Sequence, residues 1–212
     1  MSLPNGQLPT ERTRRIGVLG GSFDPPHLAH LALARVALQA LALDELRWLP
    51  ARAPWQKAGR DMAEAADREA MVVAMIAGEP RFVVDSREMH RDGPTYTIDT
   101  VRELCADEPE AEWFLVIGQD QYGRFDTWRD WRELLSRLTL AVAARAGQQP
   151  LAPPDVASVP HRVVLLELPR IDIAASDIRL RRAAGGEIVS LVGEPVARYI
   201  DSHALYTGQP RS

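Results

Sequence analysis

The sequence predicts an α/β fold, a doubly wound parallel sheet with helices on both faces. Two observations support this prediction. Short apolar runs of strand length alternate along the chain with longer segments in which apolar residues recur at helical spacing. The first apolar run passes through a glycine turn directly into such a helical segment, as strands of parallel sheets commonly do. The pattern favours a Rossmann-like single domain with a small C-terminal helical part.

The first half of the chain alternates strand and helix patterns. Residues 15–19 form a short apolar run typical of a buried parallel strand, and the segment after it carries apolar residues at helical intervals up to Leu41. The elements predicted next are a strand at 46–49, a helix at 65–76, a strand at 82–84 and a helix capped by Thr97. This alternation is what a doubly wound sheet requires.

The second half continues the alternation. Residues 113–117, Trp-Phe-Leu-Val-Ile, are the most strand-like run of the chain, and further strands are predicted at 138–143 and 163–166. A short helix is expected from an N-cap at Ser176 to the glycines at 185–186. A last helix takes Pro195 in its first turn and runs to about His203.

Length and composition bound the function. A chain of 212 residues that is 46% hydrophobic can form one domain, 1–212, with a sizeable core. Within it, 1–14 is predicted to be a flexible N-terminal segment and 146–160, a Pro-rich segment without periodicity, a surface loop. The net charge of −4 argues against a general nucleic-acid binder, and no apolar run approaches the roughly 18 residues that a membrane span needs.

The single cysteine, Cys105, excludes an internal disulfide and indicates a reducing compartment. We therefore expect a cytoplasmic protein that acts on small molecules and binds neither nucleic acid nor membrane. The sequence leaves the formation of a homo-oligomer open.

The most informative segment is 20–30, Gly-Gly-Ser-Phe-Asp-Pro-Pro-His-Leu-Ala-His, which joins the first strand to the first helix. A helix start offers unpaired N–H groups and the positive end of the helix dipole, and both favour an anion. His27 and His30 share one face of the first helical turn. Two histidines in this setting indicate a phosphate site. A metal site would want a third ligand, and beyond Asp24 the sequence supplies no nearby carboxylate at suitable spacing.

Segment 20–30 resembles the signature of the nucleotidyltransferase superfamily with the His-x-Gly-His motif, although Ala29 stands where glycine is usual. Four further segments resemble, in the same order, the bacterial nicotinate mononucleotide adenylyltransferases; they are 93–97 (GPTYT), 117–120 (IGQD), 125–128 (FDTW) and 173–179 (IAASDIR). The resemblance covers most of the chain. It implies ATP-dependent adenylyl transfer to nicotinate mononucleotide, which gives deamido-NAD and pyrophosphate in NAD biosynthesis.

Two alternatives to this function stay open. One is another adenylyl- or cytidylyltransferase of the superfamily, such as pantetheine-phosphate adenylyltransferase. The other is a non-catalytic nucleotide sensor that has kept the fold. Neither His27, His30 nor Arg179 is missing, which disfavours the sensor.

The resemblance also implies roles for individual residues. His27, His30 and Arg179 are expected to be the catalytic groups, which donate to phosphate oxygens. The expected ATP-binding residues are Gly20, Gly21, Ser22, Phe23, Lys57, Gly118, Asp120, Ser176 and Arg179. Thr97 and Trp128 are expected to hold nicotinate mononucleotide, by a backbone N–H and an indole face. Mg²⁺ is the expected cofactor, bound mainly through the oxygens of ATP and not by a protein metal site.

The residues alone leave alternatives at several of these positions. Lys57 follows Trp55-Gln56 where the family carries Pro-His, and a loop lysine is usually only solvated. Asp120 would serve equally as a helix N-cap or a turn residue. Ser176 and Arg179 would otherwise be a helix cap and a surface arginine, and Ala174 replaces a usual serine beside them. Of the two tryptophans in 127–131, Trp131 is expected to be the one packed in the core.

Overall fold

The computed structural model describes residues 12–53, 62–145, 147–169 and 171–208, and within them six parallel strands form one sheet. The strands are β1 (Arg15–Gly21), β2 (Glu45–Pro50), β3 (Phe82–Val84), β4 (Glu112–Gly118), β5 (Thr139–Arg145) and β6 (Val163–Leu168). Their order across the sheet is β3-β2-β1-β4-β5-β6. The doubly wound sheet and its predicted strands are confirmed.

Helices connect the strands and cover both faces of the sheet. They are α1 (Leu28–Ala40), α2 (Ala65–Ile76), α3 (Thr97–Asp107), α4 (Gln119–Tyr122), α5 (Trp131–Arg137), α6 (Pro154–Ala157), α7 (Ala175–Ala183), α8 (Val189–Val192) and α9 (Glu194–Ser202). Short 3-10 turns lie at Arg87–His90 and Phe125–Thr127. The predicted helices and the C-terminal helical part, α7 to α9, are confirmed.

Two of the predicted helix caps are wrong. Helix α3 has Tyr96 as its N-cap and α7 has Ala174, so Thr97 and Ser176 lie inside the first turn of their helices. Neither N-cap side chain accepts a hydrogen bond from its helix. The first N–H groups of both helices therefore lack a side-chain cap, and such helix starts are suited to bind an anion.

Alternate residues of each strand pack on opposite sides of the sheet, and each side has its own core. In β4, Trp113, Leu115 and Ile117 pack with α3 and α5, whereas Phe114 and Val116 pack with α1 and α2. Burial on both sides explains why β4 is a continuous apolar run. A third apolar cluster joins α2 to α7, α8 and α9, so the C-terminal helical part docks on α2.

The predicted surface loop 146–160, of which the structure describes residues 147–160, contains a short helix. Pro154 occupies the first turn of α6, a position that favours a helix, and Val156 on that helix is fully buried in the core beneath α3 and α5. At the N-terminus, residues 1–11 of the expected flexible segment lie outside the described residues. Arg14 is held by carboxylates, with Glu45 at 2.5 Å and Glu108 at 2.6 Å.

Candidate active site

A cavity of about 440 Å³ opens at the carboxyl ends of β1 and β4. The strand order reverses between these two strands, so the loops that leave them diverge and a crevice remains. The predicted site residues that line it are Gly20, Gly21, Ser22, Phe23, His27, His30, Thr97, Gly118 and Trp128. Residues 20–27, called the phosphate loop below, thus share one cavity with the two residues expected to hold the mononucleotide.

His27 and His30 form a stacked pair at the start of α1. His27 is the N-cap and is 7% exposed, and the two ring centroids lie 3.7 Å apart with planes inclined by 29°. The backbone N–H of His27 donates to Nδ1 of His30 over 3.2 Å. Because Nδ1 of His30 accepts this bond, the proton of its neutral imidazole is on Nε2. His30 therefore presents an N–H donor at the ring edge away from its own backbone.

The turn before the histidines depends on a buried aromatic ring. Phe23 has a positive φ of 47° and is 1% exposed, with its ring centroid 5.2 Å from that of His30 and 5.4 Å from that of Trp48. A Cβ on Gly21 would lie 3.0 Å from the Phe23 ring, closer than ordinary van der Waals contact. Gly21 therefore lets the ring pack under the loop, and Phe23 supports the His30 ring from the side.

Arg68 on α2 is a site residue that the sequence analysis missed. It is 1% exposed, and its Nη1 donates to the backbone oxygens of Ser22 at 2.8 Å and Ala51 at 2.6 Å. Its Nη2 and Nε donate to the backbone oxygens of Arg52 at 2.9 Å and Ala63 at 3.0 Å. Arg68 thus connects the phosphate loop to the residues that follow β2 and to a residue that precedes α2. Its position on the apolar face of α2, three and four residues before Met71 and Val72, is the sequence signal that could have found it.

Asp24 connects the phosphate loop to the C-terminal helical part. Its Oδ1 accepts hydrogen bonds from the hydroxyl of Tyr206 at 2.7 Å and from the N–H of Ala63 at 3.1 Å. Arg179 Nη1 donates to the backbone oxygen of Asp24 at 2.7 Å and lies 3.6 Å from Oδ2. Burial and the neighbouring Asp24 carboxylate raise the pKa of Tyr206, so its hydroxyl remains a donor. The bond to the backbone of Asp24 holds the Arg179 guanidinium against the phosphate loop.

Asp120 and Ser176, two further predicted ATP-binding residues, do not line the cavity. Ser176 is exposed, and its hydroxyl donates to the carboxylate of Asp177 at 3.2 Å, whereas the preceding Ala175 lines the cavity. Asp120 is exposed and lines a separate hollow of about 720 Å³ with Arg124. Lys57 lies outside the described residues.

The other part of the cavity lining surrounds the start of α3. Thr97 is the first residue of that helix, and Trp128 stacks on Phe125 with ring centroids 5.1 Å apart. Trp131 is 8% exposed and packs in the core, as expected, while Trp128 is only partly buried. The hydroxyl of Thr95 and the indole N–H of Trp128 are buried without a hydrogen-bond partner among the described residues. This region therefore offers donors that a ligand can use.

Glu88 is a second residue that the sequence analysis missed. It lies in the 3-10 turn Arg87–His90, is 6% exposed and lines the cavity. Its Oε1 accepts a hydrogen bond from the Thr100 hydroxyl at 2.7 Å, and Arg91 donates to the same hydroxyl at 3.0 Å. Burial raises the pKa of Glu88 to about 7, although the hydrogen bond from Thr100 lowers it in part.

The described residues bear on whether the protein itself holds a metal ion or spans a membrane. They contain no group of three or more His, Cys, Asp or Glu side chains arranged to hold a metal ion. Nor does any described helix have the length and apolar character that crossing a membrane requires.

Comparison with known proteins agrees with this geometry. A protein from Methylibium petroleiphilum, described as a probable nicotinate-nucleotide adenylyltransferase, is 53% identical over 91% of this chain and 92% of its own length. A relative from Bordetella petrii with the same description is 49% identical over 91% of this chain and 99% of its own length.

The fold also matches a solved structure. Nicotinic acid mononucleotide adenylyltransferase of Plasmodium falciparum, in complex with NaAD, has a TM-score of 0.75 at 16% identity and covers 92% of this chain and 98% of its own. At that identity the likeness concerns the fold. The family model of cytidylyltransferase-like proteins matches residues 18–181. The chain therefore belongs to the cytidylyltransferase-like family and, within it, to the nicotinate-nucleotide adenylyltransferases.

Proposed function

We propose that the chain transfers the adenylyl group of ATP to nicotinate mononucleotide, which gives deamido-NAD and pyrophosphate. An oxygen of the mononucleotide's 5′-phosphate forms a bond to the α-phosphorus of ATP as the bond from that phosphorus to the bridging oxygen of pyrophosphate breaks. The observation that carries the proposal is that His27, His30 and the uncapped start of α3 at Thr97 line one cavity. The cytoplasm, where ATP is available, fits this reaction and the lone cysteine.

The reaction requires little proton transfer from the protein. A phosphate monoester has its second pKa at about 6, so at neutral pH the attacking oxygen is mostly deprotonated already. What the protein supplies is alignment of two polyanions and donors for the charge that develops on the phosphate oxygens. Nε2–H of His30 suits the α-phosphate, and His27 suits the adjacent bridging or β-phosphate oxygens.

Arg179 and the start of α7 suit the β- and γ-phosphates. The guanidinium already lies against the phosphate loop through its 2.7 Å bond to the backbone of Asp24, so a small movement would bring it to a polyphosphate. The first N–H groups of α7 have no side-chain cap, and Ala175 lines the cavity. These N–H groups compensate for the serine that Ala174 replaces.

The pyridine ring suits the region around Thr97 and Trp128. The uncapped N–H groups at the start of α3 can donate to the nicotinate carboxylate, and the face of Trp128 can stack on the ring. Mg²⁺ fits this site as an ion carried by ATP, because the carboxylate of Asp24 is already engaged by Tyr206, Ala63 and Arg179. Bound there, it would neutralise charge on the phosphates.

A pyrophosphate-release assay with ATP and either nicotinate or nicotinamide mononucleotide tests the proposal. We expect kcat/KM for the nicotinate substrate to be higher by at least about a hundredfold, because N–H donors that pair with a carboxylate meet an NH₂ donor in the amide. Comparable values for the two mononucleotides would contradict the assigned selectivity, and no release with either would contradict the assigned reaction.

A further inference from the structure

Two buried donors near α3 have no hydrogen-bond partner among the described residues. The hydroxyl of Thr95, a residue that is 5% exposed, and the indole N–H of Trp128 are both buried and unpaired among the described residues, and both residues line the cavity. A buried polar group that stays unpaired costs free energy, so native sites keep such groups mainly where a ligand or water pairs with them. These donors point to a ligand with acceptor atoms at this place.

Asp24 and Glu88 both line the cavity, but their carboxyl groups have different hydrogen-bond and ion-pair partners. The Asp24 carboxylate is held by Tyr206, by the N–H of Ala63 and by Arg179. The Glu88 carboxyl accepts one hydrogen bond, from Thr100, and forms no ion pair with a described residue. The guanidinium of Arg91 donates instead to the Thr100 hydroxyl at 3.0 Å and to the Glu103 carboxylate at 2.7 Å. Among the described residues Glu88 therefore has no cation bonded to its buried carboxyl, and it lines the same cavity as the unpaired donors of Thr95 and Trp128.

We propose that Glu88 is a specificity-determining residue that faces the substituent of the pyridine ring as a neutral carboxylic acid. This inference rests on the proposed function. In its neutral form Glu88 can donate its O–H to an oxygen of a nicotinate carboxylate bound in the cavity that it lines together with Thr95 and Trp128. Once Glu88 loses its proton, two negative charges face each other in a poorly solvated place, and nicotinate is disfavoured. A nicotinamide carboxamide is neutral and escapes this repulsion.

The groups around Glu88 allow this protonation change near neutral pH. Burial, the largest effect, raises the pKa to about 7, with Asp85 and Glu103 acting in the same direction and Thr100 and Arg91 against it. For such a pKa the neutral fraction falls roughly thirtyfold between about pH 6 and pH 8.5. His27 and His30 line the same cavity, but they are assigned to the phosphates, which both mononucleotides share.

The ratio of kcat/KM for the nicotinate substrate to kcat/KM for the nicotinamide substrate isolates the effect of Glu88. Titration of the phosphate and of the histidines affects both substrates and cancels in the ratio. In the wild type we expect the ratio to fall about tenfold or more between about pH 6 and pH 8.5. In Glu88→Gln, which stays neutral and keeps an acceptor for Thr100, the ratio should be independent of pH.

Two further variants separate this role from a structural one. Thr100→Val removes the donor that favours the ionised form of Glu88, so the fall in the ratio should move to higher pH. Glu110→Gln, at an exposed glutamate, is the matched control and should keep the wild-type profile. Thermal unfolding of each variant shows that it is folded.

Three other outcomes would overturn the inference. If the ratio in Glu88→Gln depends on pH as it does in the wild type, the inference is wrong while the proposed function stays intact. Equal losses with both mononucleotides in Glu88→Gln would assign Glu88 to the ribose or to the pocket wall. A wild type that uses neither mononucleotide would overturn the proposed function itself, and this inference with it.

Discussion

Our proposal gives a role to each ring nitrogen of His30, and substitutions can separate the two roles. Nδ1 accepts the backbone N–H of His27 over 3.2 Å, which stabilises the start of α1. Nε2 carries the proton and is the donor assigned to the α-phosphate. Loss of one preorganised donor to charge that develops in the transition state costs about 3–4 kcal/mol, or about 10²–10³ in kcat. Loss of a cap contact costs on the order of 1 kcal/mol of stability.

We therefore expect His30→Ala to lower kcat by about a hundredfold or more and the free energy of unfolding by on the order of 1 kcal/mol. Asparagine can replace the near acceptor but not the far donor, so His30→Asn should recover stability without recovering kcat. The longer amide of His30→Gln can approach the position of Nε2 and should recover part of kcat. Steady-state rates and urea unfolding of the three variants measure both quantities. A loss below about tenfold in His30→Ala, or the opposite ranking of Asn and Gln, would refute the reasoning.

The remaining predictions concern the two arginines that contact the phosphate loop. Arg179→Ala should raise KM for ATP more than KM for the mononucleotide, because the guanidinium is assigned to the triphosphate; steady-state kinetics that moved only the second constant would contradict this. Arg68→Met leaves the buried backbone oxygens of Ser22 and Ala51 without their donor and should lower the free energy of unfolding by roughly 3–6 kcal/mol, at about 1.5–3 kcal/mol per charged hydrogen bond. A loss below about 1 kcal/mol in urea unfolding would show that water or another side chain replaces Arg68.

The sheet could be predicted because burial on both sides leaves a direct trace in the sequence. Strands such as β4 must be apolar at every position, and strand–helix alternation then suffices for a doubly wound topology. The N-caps of α3 and α7 could not be predicted, because Tyr96 and Ala174 are not typical N-cap residues. Thr97 and Ser176 follow them in the chain and have the hydroxyl group typical of N-caps, so the sequence pattern predicts these two residues as the caps. In both helices a ligand can take the place of a side-chain cap, so a rule based on caps fails there.

That segment 20–30 lines the cavity could be predicted because the signal is local, with the glycines and both histidines inside eleven residues. Arg68, Glu88 and Tyr206 could not, since each acquires its role from a partner that only the fold brings near. Arg68 reaches Ser22 over 46 residues of sequence, and Tyr206 reaches Asp24 over 182. The position of Arg68 on the apolar face of α2 indicates burial, but neither it nor a single glutamate or tyrosine in the sequence identifies the partner. The roles of all the predicted site residues, including Asp120, Ser176 and Lys57, stay predictions.

The contact between Tyr206 and Asp24 has a consequence for how the protein folds. It closes a loop of 182 residues, and contacts of such long sequence separation form slowly, because the entropy of loop closure is lost before the contact repays it. During synthesis the phosphate loop emerges early, whereas the tyrosine that orders its carboxylate is among the last described residues. The sheet can then assemble well before the site does. Binding competence is expected to be gained in a late step, separable in refolding experiments from the formation of secondary structure.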